Sequence, residues 1–153
     1  MDEQTKNEII VSLNVLGATL TVFYRNAKVL HWLYKDDNFV SVHPWLDDTV
    51  ATKLNDMVDK TYEQILKLDI PFVAGYTEIV SLSKVEPLLS KNKEGFSSDE
   101  TFTILLENMN QLRAVIDKNA SIAEKCSLYA YHDLMVAMLE DCDQLKYFIK
   151  RSL

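Results

Sequence analysis

From Ile9 the apolar positions recur at Leu13, Leu16, Leu20, Phe23, Ala27, Leu30 and Tyr34, in alternating steps of four and three. That spacing keeps one face of an α-helix turned toward a core. It predicts a first helix of about seven turns. The helix ends at Asp36, Asp37 and Asn38, whose short polar side chains compete for backbone hydrogen bonds and favour turns. Pro44 suits the first turn of a second helix, with Asp47 and Asp48 following at its electropositive end. Leu46, Val50, Leu54, Met57, Val58, Ile65 and Leu68 carry this helix to Pro71. Ser98 is the predicted N-cap of a third helix, with Thr101 three residues on, and Phe102, Leu105, Met109, Leu112, Ile116, Ala120 and Ala123 form its stripe. A break near Ser127 leads to a fourth, carried by Leu134, Met138, Cys142, Leu145, Phe148 and Ile149.

Between the second and third helices, residues 71–97 hold two of the three prolines and two of the three glycines. This connection is too long for a simple bundle loop and has room for one short helix near residues 77–83. The pattern is an all-α protein, a single domain over residues 1–153, with a long crossover between helices 2 and 3. That is the arrangement of a ferritin-like four-helix bundle. So few glycines and prolines leave little punctuation for the many turns of a β protein.

Charge narrows the partners. The net charge is −7 with a pI near 4.9, and Lys150 with Arg151 is the one basic cluster, so nucleic acid is not an expected partner. The start lacks a basic stretch followed by an apolar one, and no run approaches the roughly 20 apolar residues of a membrane span. Cys126 and Cys142 lack metal-ligand spacing and read as packed, reduced thiols. A cytoplasmic protein without a membrane partner is expected.

Of the three histidines, His31 and His43 flank the predicted first turn, and Asp59 and Glu63 lie one helical turn apart further on. Imidazole with carboxylate suits iron, since nitrogen donors satisfy a borderline transition metal and oxygen donors stabilise the higher charge reached on oxidation. Structural zinc would usually bring cysteines. His43 and Asp59 are 16 residues apart on one helix, about 24 Å at ~1.5 Å per residue, and cannot share an ion within one chain. The hairpin instead brings His31 opposite Asp47, with His43 one turn before it. His31, His43 and Asp47 thus form one half-site, and Asp59 with Glu63 the other. Two hairpins packed antiparallel about a two-fold axis would join the halves twice over. Taken singly each residue has a plainer reading, as helix cap, first-turn acid or solvated face. His132 has no acidic partner at helical spacing upstream, and the aromatic residues Tyr24, Tyr34, Tyr62, Trp32 and Trp45 read as core.

Taken together, Arg25, Asn26, His31, Trp32, Phe39, His43, Asp47, Asp59 and Glu63 resemble the Dps family, the mini-ferritins of the ferritin-like superfamily. In that family a helix ends in histidine and tryptophan, with a phenylalanine eight residues after the histidine and a second histidine twelve after; His31, Phe39 and His43 reproduce this. A weaker echo covers Leu13, Asn14 and the fourth helix, where Tyr147 stands in place of a common tryptophan. The resemblance implies a homo-oligomeric, dodecameric shell built from two-fold dimers. It also implies a ferroxidase centre, mononuclear or dinuclear in iron, shared between His31, His43 and Asp47 of one subunit and Asp59 and Glu63 of its mate. Ferrous iron and hydrogen peroxide would be the substrates, ferric mineral would be stored inside, and the result would be protection against oxidative stress. The alternative is a non-catalytic shell or scaffold of the same fold with a degenerate metal site.

The chain departs from the family pattern in three ways. Asp59 follows His43 by 16 residues where the family has 15, and one extra residue turns everything after it by about 100°. A π-bulge between Asp47 and Asp59 would absorb the residue and restore the register; an extra residue beside Pro44 would instead make Asp48 the ligand in place of Asp47. Leu33 and Asp36 replace a polar residue and a glycine common in the turn. No basic N-terminal arm of the kind that binds DNA is present, and no DNA binding is expected.

Overall fold

The computed structural model describes residues 1–89 and 94–153; part of the predicted crossover, residues 90–93, lies outside the described residues. The first helix, α1, spans Glu3–Leu33. It begins six residues before the apolar stripe, because the Asp2 side chain accepts the Thr5 amide at 2.7 Å and caps a mostly exposed first turn. By length and composition α1 could cross a membrane, against the expectation that no segment is apolar enough to do so; most of that stretch is buried, as suits the core helix of a bundle.

The second helical run starts earlier than Pro44 predicts. It comprises α2 (Phe39–Trp45), a π-helical segment (Leu46–Ala51) and α3 (Thr52–Lys67). Asn38, at φ 63°, takes the left-handed turn before it, a conformation that asparagine tolerates better than most residues. Pro44 therefore sits inside α2, not at its start. The short α4 covers Tyr76–Leu82, one residue earlier than expected. Next, α5 covers Ser98–Lys125 and is capped by Ser97, not Ser98. The Ser97 hydroxyl accepts the Glu100 amide at 3.1 Å while the Glu100 carboxylate accepts the Ser97 amide at 3.2 Å. This is a reciprocal capping box one residue out of the predicted register, so Glu100 and not Thr101 completes it. Ser127, at φ 55°, makes the sharp turn into α6 (Tyr129–Arg151).

Polar groups buried along α1 set the path of the crossover. Asn14 donates to the Pro71 carbonyl at 2.9 Å and accepts the Val73 amide at 2.8 Å. Further along, the Thr19 hydroxyl accepts the Lys84 amide at 3.1 Å. Asn26 then donates to the Glu86 carbonyl and to Asn108 Oδ1, both at 2.9 Å, and accepts the Leu88 amide at 2.8 Å. The crossover thus climbs α1 from its first third to its end. It delivers the chain to the far end of the bundle, so that α5, like α3, runs antiparallel to α1. Asn119 near the end of α5 accordingly donates to the Ser12 carbonyl near the start of α1 at 3.0 Å, and Tyr131 of α6 donates to Asn119 Oδ1.

The apolar stripes meet in one core that includes Leu13, Leu16, Leu20, Phe23 and Leu30 of α1, Leu54 and Ile65 of α3, Leu105, Leu112 and Ile116 of α5, and Met135, Met138 and Leu145 of α6. Each such side chain contributes about 1.5–3 kcal/mol through burial. Gly17 lets the Tyr62 ring lie flat on α1; a Cβ there would come within 2.6 Å of it. Cys142 is fully buried, and burial pushes its thiol up to about 12. Only the thiolate attacks disulfide reagents. Native protein at pH 8 is therefore expected to react with Ellman's reagent at the half-buried Cys126 and not at Cys142, whereas denatured protein reacts at both. The absorbance change in each state checks this.

Candidate metal centre

The turn between α1 and α2 is tied to the start of α5. Lys35 donates its amide to the Phe96 carbonyl, and Phe96 returns its own to the Leu33 carbonyl, both at 2.8 Å. Gly95 makes this pairing possible: its φ is 76°, and a Cβ there would collide with the Leu33 carbonyl oxygen. The Asp36 carboxylate accepts the amides of Ser98 at 2.8 Å and Asp37 at 2.7 Å, and these bonds, that from Ser98 first, hold its carboxyl below the usual range. Asp36, which stands where a glycine is common in the turn, thus anchors the first turn of α5. The buried Tyr34 donates its hydroxyl to the Asp37 carbonyl at 2.8 Å. The hairpin that carries His31 and His43 is fixed from three sides.

Within it the two histidines hold each other. Nδ1 of His31 lies 2.5 Å from the His43 carbonyl oxygen, and Nδ1 of His43 lies 2.7 Å from that of His31. A carbonyl oxygen only accepts, so each Nδ1 carries a hydrogen and donates it, and Nε2 is the ring nitrogen left to meet other groups. The rings stack with centroids 3.9 Å apart and 12° between planes, and Phe39 stacks on His43 at 4.7 Å. Both imidazoles are thereby fixed in tautomer and orientation, as second-shell bonds fix metal-binding histidines.

Asp47 completes the cluster. Its Oδ2 lies 3.9 Å from His31 Nε2 and its Oδ1 2.7 Å from Lys28 Nζ. The Lys28 bond, above all, holds the Asp47 carboxyl below its ordinary value. The π-helical segment begins one residue before Asp47, and Thr52 donates its amide and, at 3.0 Å, its hydroxyl to the Asp47 carbonyl five residues back. This wider turn takes up one residue, as the 16-residue spacing to Asp59 required of a bulge. Asp48, the alternative to Asp47, is exposed, while Asp47 is the one that reaches His31.

Asp59 and Glu63 are both exposed on α3, one turn apart. They lie about 18 Å or more along the helix from Asp47, so the structure brings His31, His43 and Asp47 together and leaves the second pair at a distance. Among the described residues, no three His, Cys, Asp or Glu side chains of one protomer are grouped closely enough to hold an ion. Asp56 pairs with Lys60 at 2.9 Å on the surface of α3, and His132 is half-buried on α6. Lys28 escaped the sequence reading. It lies three residues before His31 and so on the same face of α1, but its pairing with Asp47 crosses the hairpin and has no local signature. Arg25 and Lys28 also sit 4.9 and 5.6 Å from the ring centre of the half-exposed Trp32, cation–π contacts on the outer side of the cluster.

Long helices joined by a crossover that runs the length of the bundle, with a histidine and carboxylate cluster at the first hairpin, define a ferritin-like protein. The ferritin-like domain model matches residues 11–153, and the chain belongs to this family. Its fold is that of solved Dps structures. Dps from Thermosynechococcus elongatus superposes with a TM-score of 0.88 at 20% identity, over 97% of this chain and 91% of that one. Dps from Vibrio cholerae, described as a member of a broad superfamily of ferritin-like diiron-carboxylate proteins, gives 0.89 at 17% identity, over 99% and 92%. Antigen TpF1 from Treponema pallidum gives 0.90 at 16% identity, over 99% and 95%. In sequence, an uncharacterized protein of Haemophilus influenzae is 28% identical over 122 residues, 80% of this chain and 71% of that protein.

Proposed function

We propose that this protein is a mini-ferritin of the Dps kind. It oxidises ferrous iron with hydrogen peroxide at centres shared between two copies of the chain and stores the ferric product inside a dodecameric shell in the cytoplasm. The observation that carries this reading is the reciprocal histidine pair. Two imidazoles locked by their Nδ1 bonds, beside a carboxylate whose pKa is held low, are donor types that a divalent transition metal takes, short of a complete set within one protomer. The 3.9 Å between His31 Nε2 and Asp47 Oδ2 is less than two metal–ligand bonds of about 2.1 Å each, so one ion can bridge them. Asp59 and Glu63 of a second copy, packed antiparallel on the α1–α3 face, would supply the remaining oxygen donors.

Iron here is substrate and cargo. Two ferrous ions each give one electron to a peroxide, which takes up two protons and leaves as two waters. The ferric ions then hydrolyse and release protons as mineral forms. The chain's part is to bind and orient the ion and to supply negative charge that favours the ferric state. The net charge of −7 suits an iron container and disfavours DNA as cargo.

The experiment is peroxide consumption by the assembled protein supplied with ferrous iron without oxygen, followed alongside the ferric absorbance. Wild type is expected to oxidise iron rapidly, and His31→Ala and Asp59→Ala slowly. Equal rates in all three would instead identify a non-catalytic shell.

A further inference from the structure

A groove of about 340 Å³ runs between α1 and α5 and is bounded at one end by Lys84 of the crossover, whose amide the Thr19 hydroxyl holds at 3.1 Å. Its walls are Val11 and Val15 of α1, one turn apart, and Ala114 and Val115 of α5. Val11 and Val15 lie off the stripe that α1 turns to the core, and Val11 and Ala114 are exposed. Ser12 also lines the groove. It is 5% exposed, and its hydroxyl makes no hydrogen bond among the described residues, although its carbonyl accepts Asn119 Nδ2 at 3.0 Å. On the same helix Thr21 spends its hydroxyl on the Gly17 carbonyl four residues back. Ser12 does not, and a hydroxyl so deeply placed calls for a partner.

Charge says what that partner is. Lys84 and Lys118 both line the groove, and neither belongs to an ion pair among the described residues, in a chain whose net charge is −7. No acidic side chain of the described residues lines it; Glu8 borders only its extension toward the start of α1. The Asn119 bond sets Lys118 beside Ser12. Thr19, which holds Lys84, is seven residues further along α1, about 10 Å away. The groove therefore has apolar walls, a cation at each end and a free hydroxyl at one of them. We infer that it binds a linear aliphatic dicarboxylate, with one carboxylate on Lys84 and the other on Lys118 and the Ser12 hydroxyl. The volume suits a small ligand held by apolar walls and a few polar groups. Ser12 is about 28 Å along α1 from His31, and the antiparallel packing proposed for the α1–α3 face leaves this groove uncovered, so the site stands apart from the metal centre.

The test is isothermal titration calorimetry of the assembled, iron-free protein at low ionic strength with nonanedioate, nonanoate and succinate. Nonanoate has the chain with one carboxylate, and succinate has both carboxylates without the chain. Nonanedioate is expected to saturate one site per subunit. Nonanoate should bind about three-fold more weakly, as befits one exposed ion pair, and succinate at least about ten-fold more weakly for want of apolar contact. Lys84→Gln and Lys118→Gln should each cost about three-fold for nonanedioate. Ser12→Ala should cost about ten-fold, since the hydroxyl donates to a charged group; the Asn119 bond is to the Ser12 carbonyl and survives the change. Ala114→Glu, at an exposed position, should abolish binding by placing a carboxylate in the wall. The inference is overturned if nonanedioate gives no saturable binding, if nonanoate or succinate binds as tightly, or if Ser12→Ala and Ala114→Glu bind like wild type.

Discussion

Co-expressed His31→Ala and Asp59→Ala chains are expected to recover about a quarter of the wild-type centres, although each variant alone has essentially none. The expectation follows from helix length. Asp59 lies about 18 Å along the helix from Asp47, so no hairpin can bring the carboxylate pair of one chain to its own histidines. In the proposed two-fold dimer each centre would take the histidine half from one chain and the carboxylate half from the other. A mixed dimer then has one centre with both halves altered and one with both intact. Random pairing makes half of the dimers mixed, hence about a quarter of all centres. On the proposed reading each variant alone would lose a ligand outright and should oxidise ferrous iron at least on the order of 100-fold more slowly, since even losing a partner of a ligand costs about 10–100-fold. Stopped-flow measurement of the fast ferric phase, with its amplitude counting intact centres, reads the outcome. No recovery in the mixture would mean that each centre belongs to one chain.

Asn26→Leu is expected to give the largest loss of stability among polar substitutions, about 3–5 kcal/mol. Asn26 is 2% exposed and makes three bonds, to the Glu86 carbonyl, the Leu88 amide and Asn108 Oδ1. Leucine fills a similar volume but removes all three bonds, worth about 0.5–1.5 kcal/mol each, and leaves the half-buried Leu88 amide and Asn108 side chain short of a partner. At roughly 2–4 °C per kcal/mol for a chain of this size, the melting temperature should fall by about 10 °C. Calorimetry at matched protein concentration checks this, since oligomer stability depends on concentration. A fall of only a degree or two would show that the crossover is held by the apolar contacts of Ile79 and Val85 instead. The position matters beyond stability, because the crossover sets where α5 begins and α5 anchors the hairpin through Ser98, Asp36 and Phe96.

Much of this protein was legible in its residue pattern. The steps of three and four from Ile9 to Tyr34, the proline-bearing crossover and the turn at Ser127 all mark real elements, because helix periodicity and chain breaks are local properties. The 16-residue spacing from His43 to Asp59 called for an inserted residue, and the π segment at Leu46–Ala51 supplies it. End positions were less legible. The start of α2 precedes Pro44, and Ser97 with Glu100, not Ser98 with Thr101, caps α5. Caps turn on which hydroxyl meets which amide, and neighbouring serines look alike until the chain is folded.

By itself, then, the sequence determined the helices and their order, since each of these depends on spacing within one element. Tertiary structure alone decided that Asp47 and not Asp48 turns toward His31, that each imidazole spends Nδ1 on the other histidine's carbonyl, and that Lys28 closes on Asp47. These features depend on contacts between α1 and the helical run after the turn. Such contacts are set by the crossing of the two helices and the widened π turn, which no repeat along a single helix encodes.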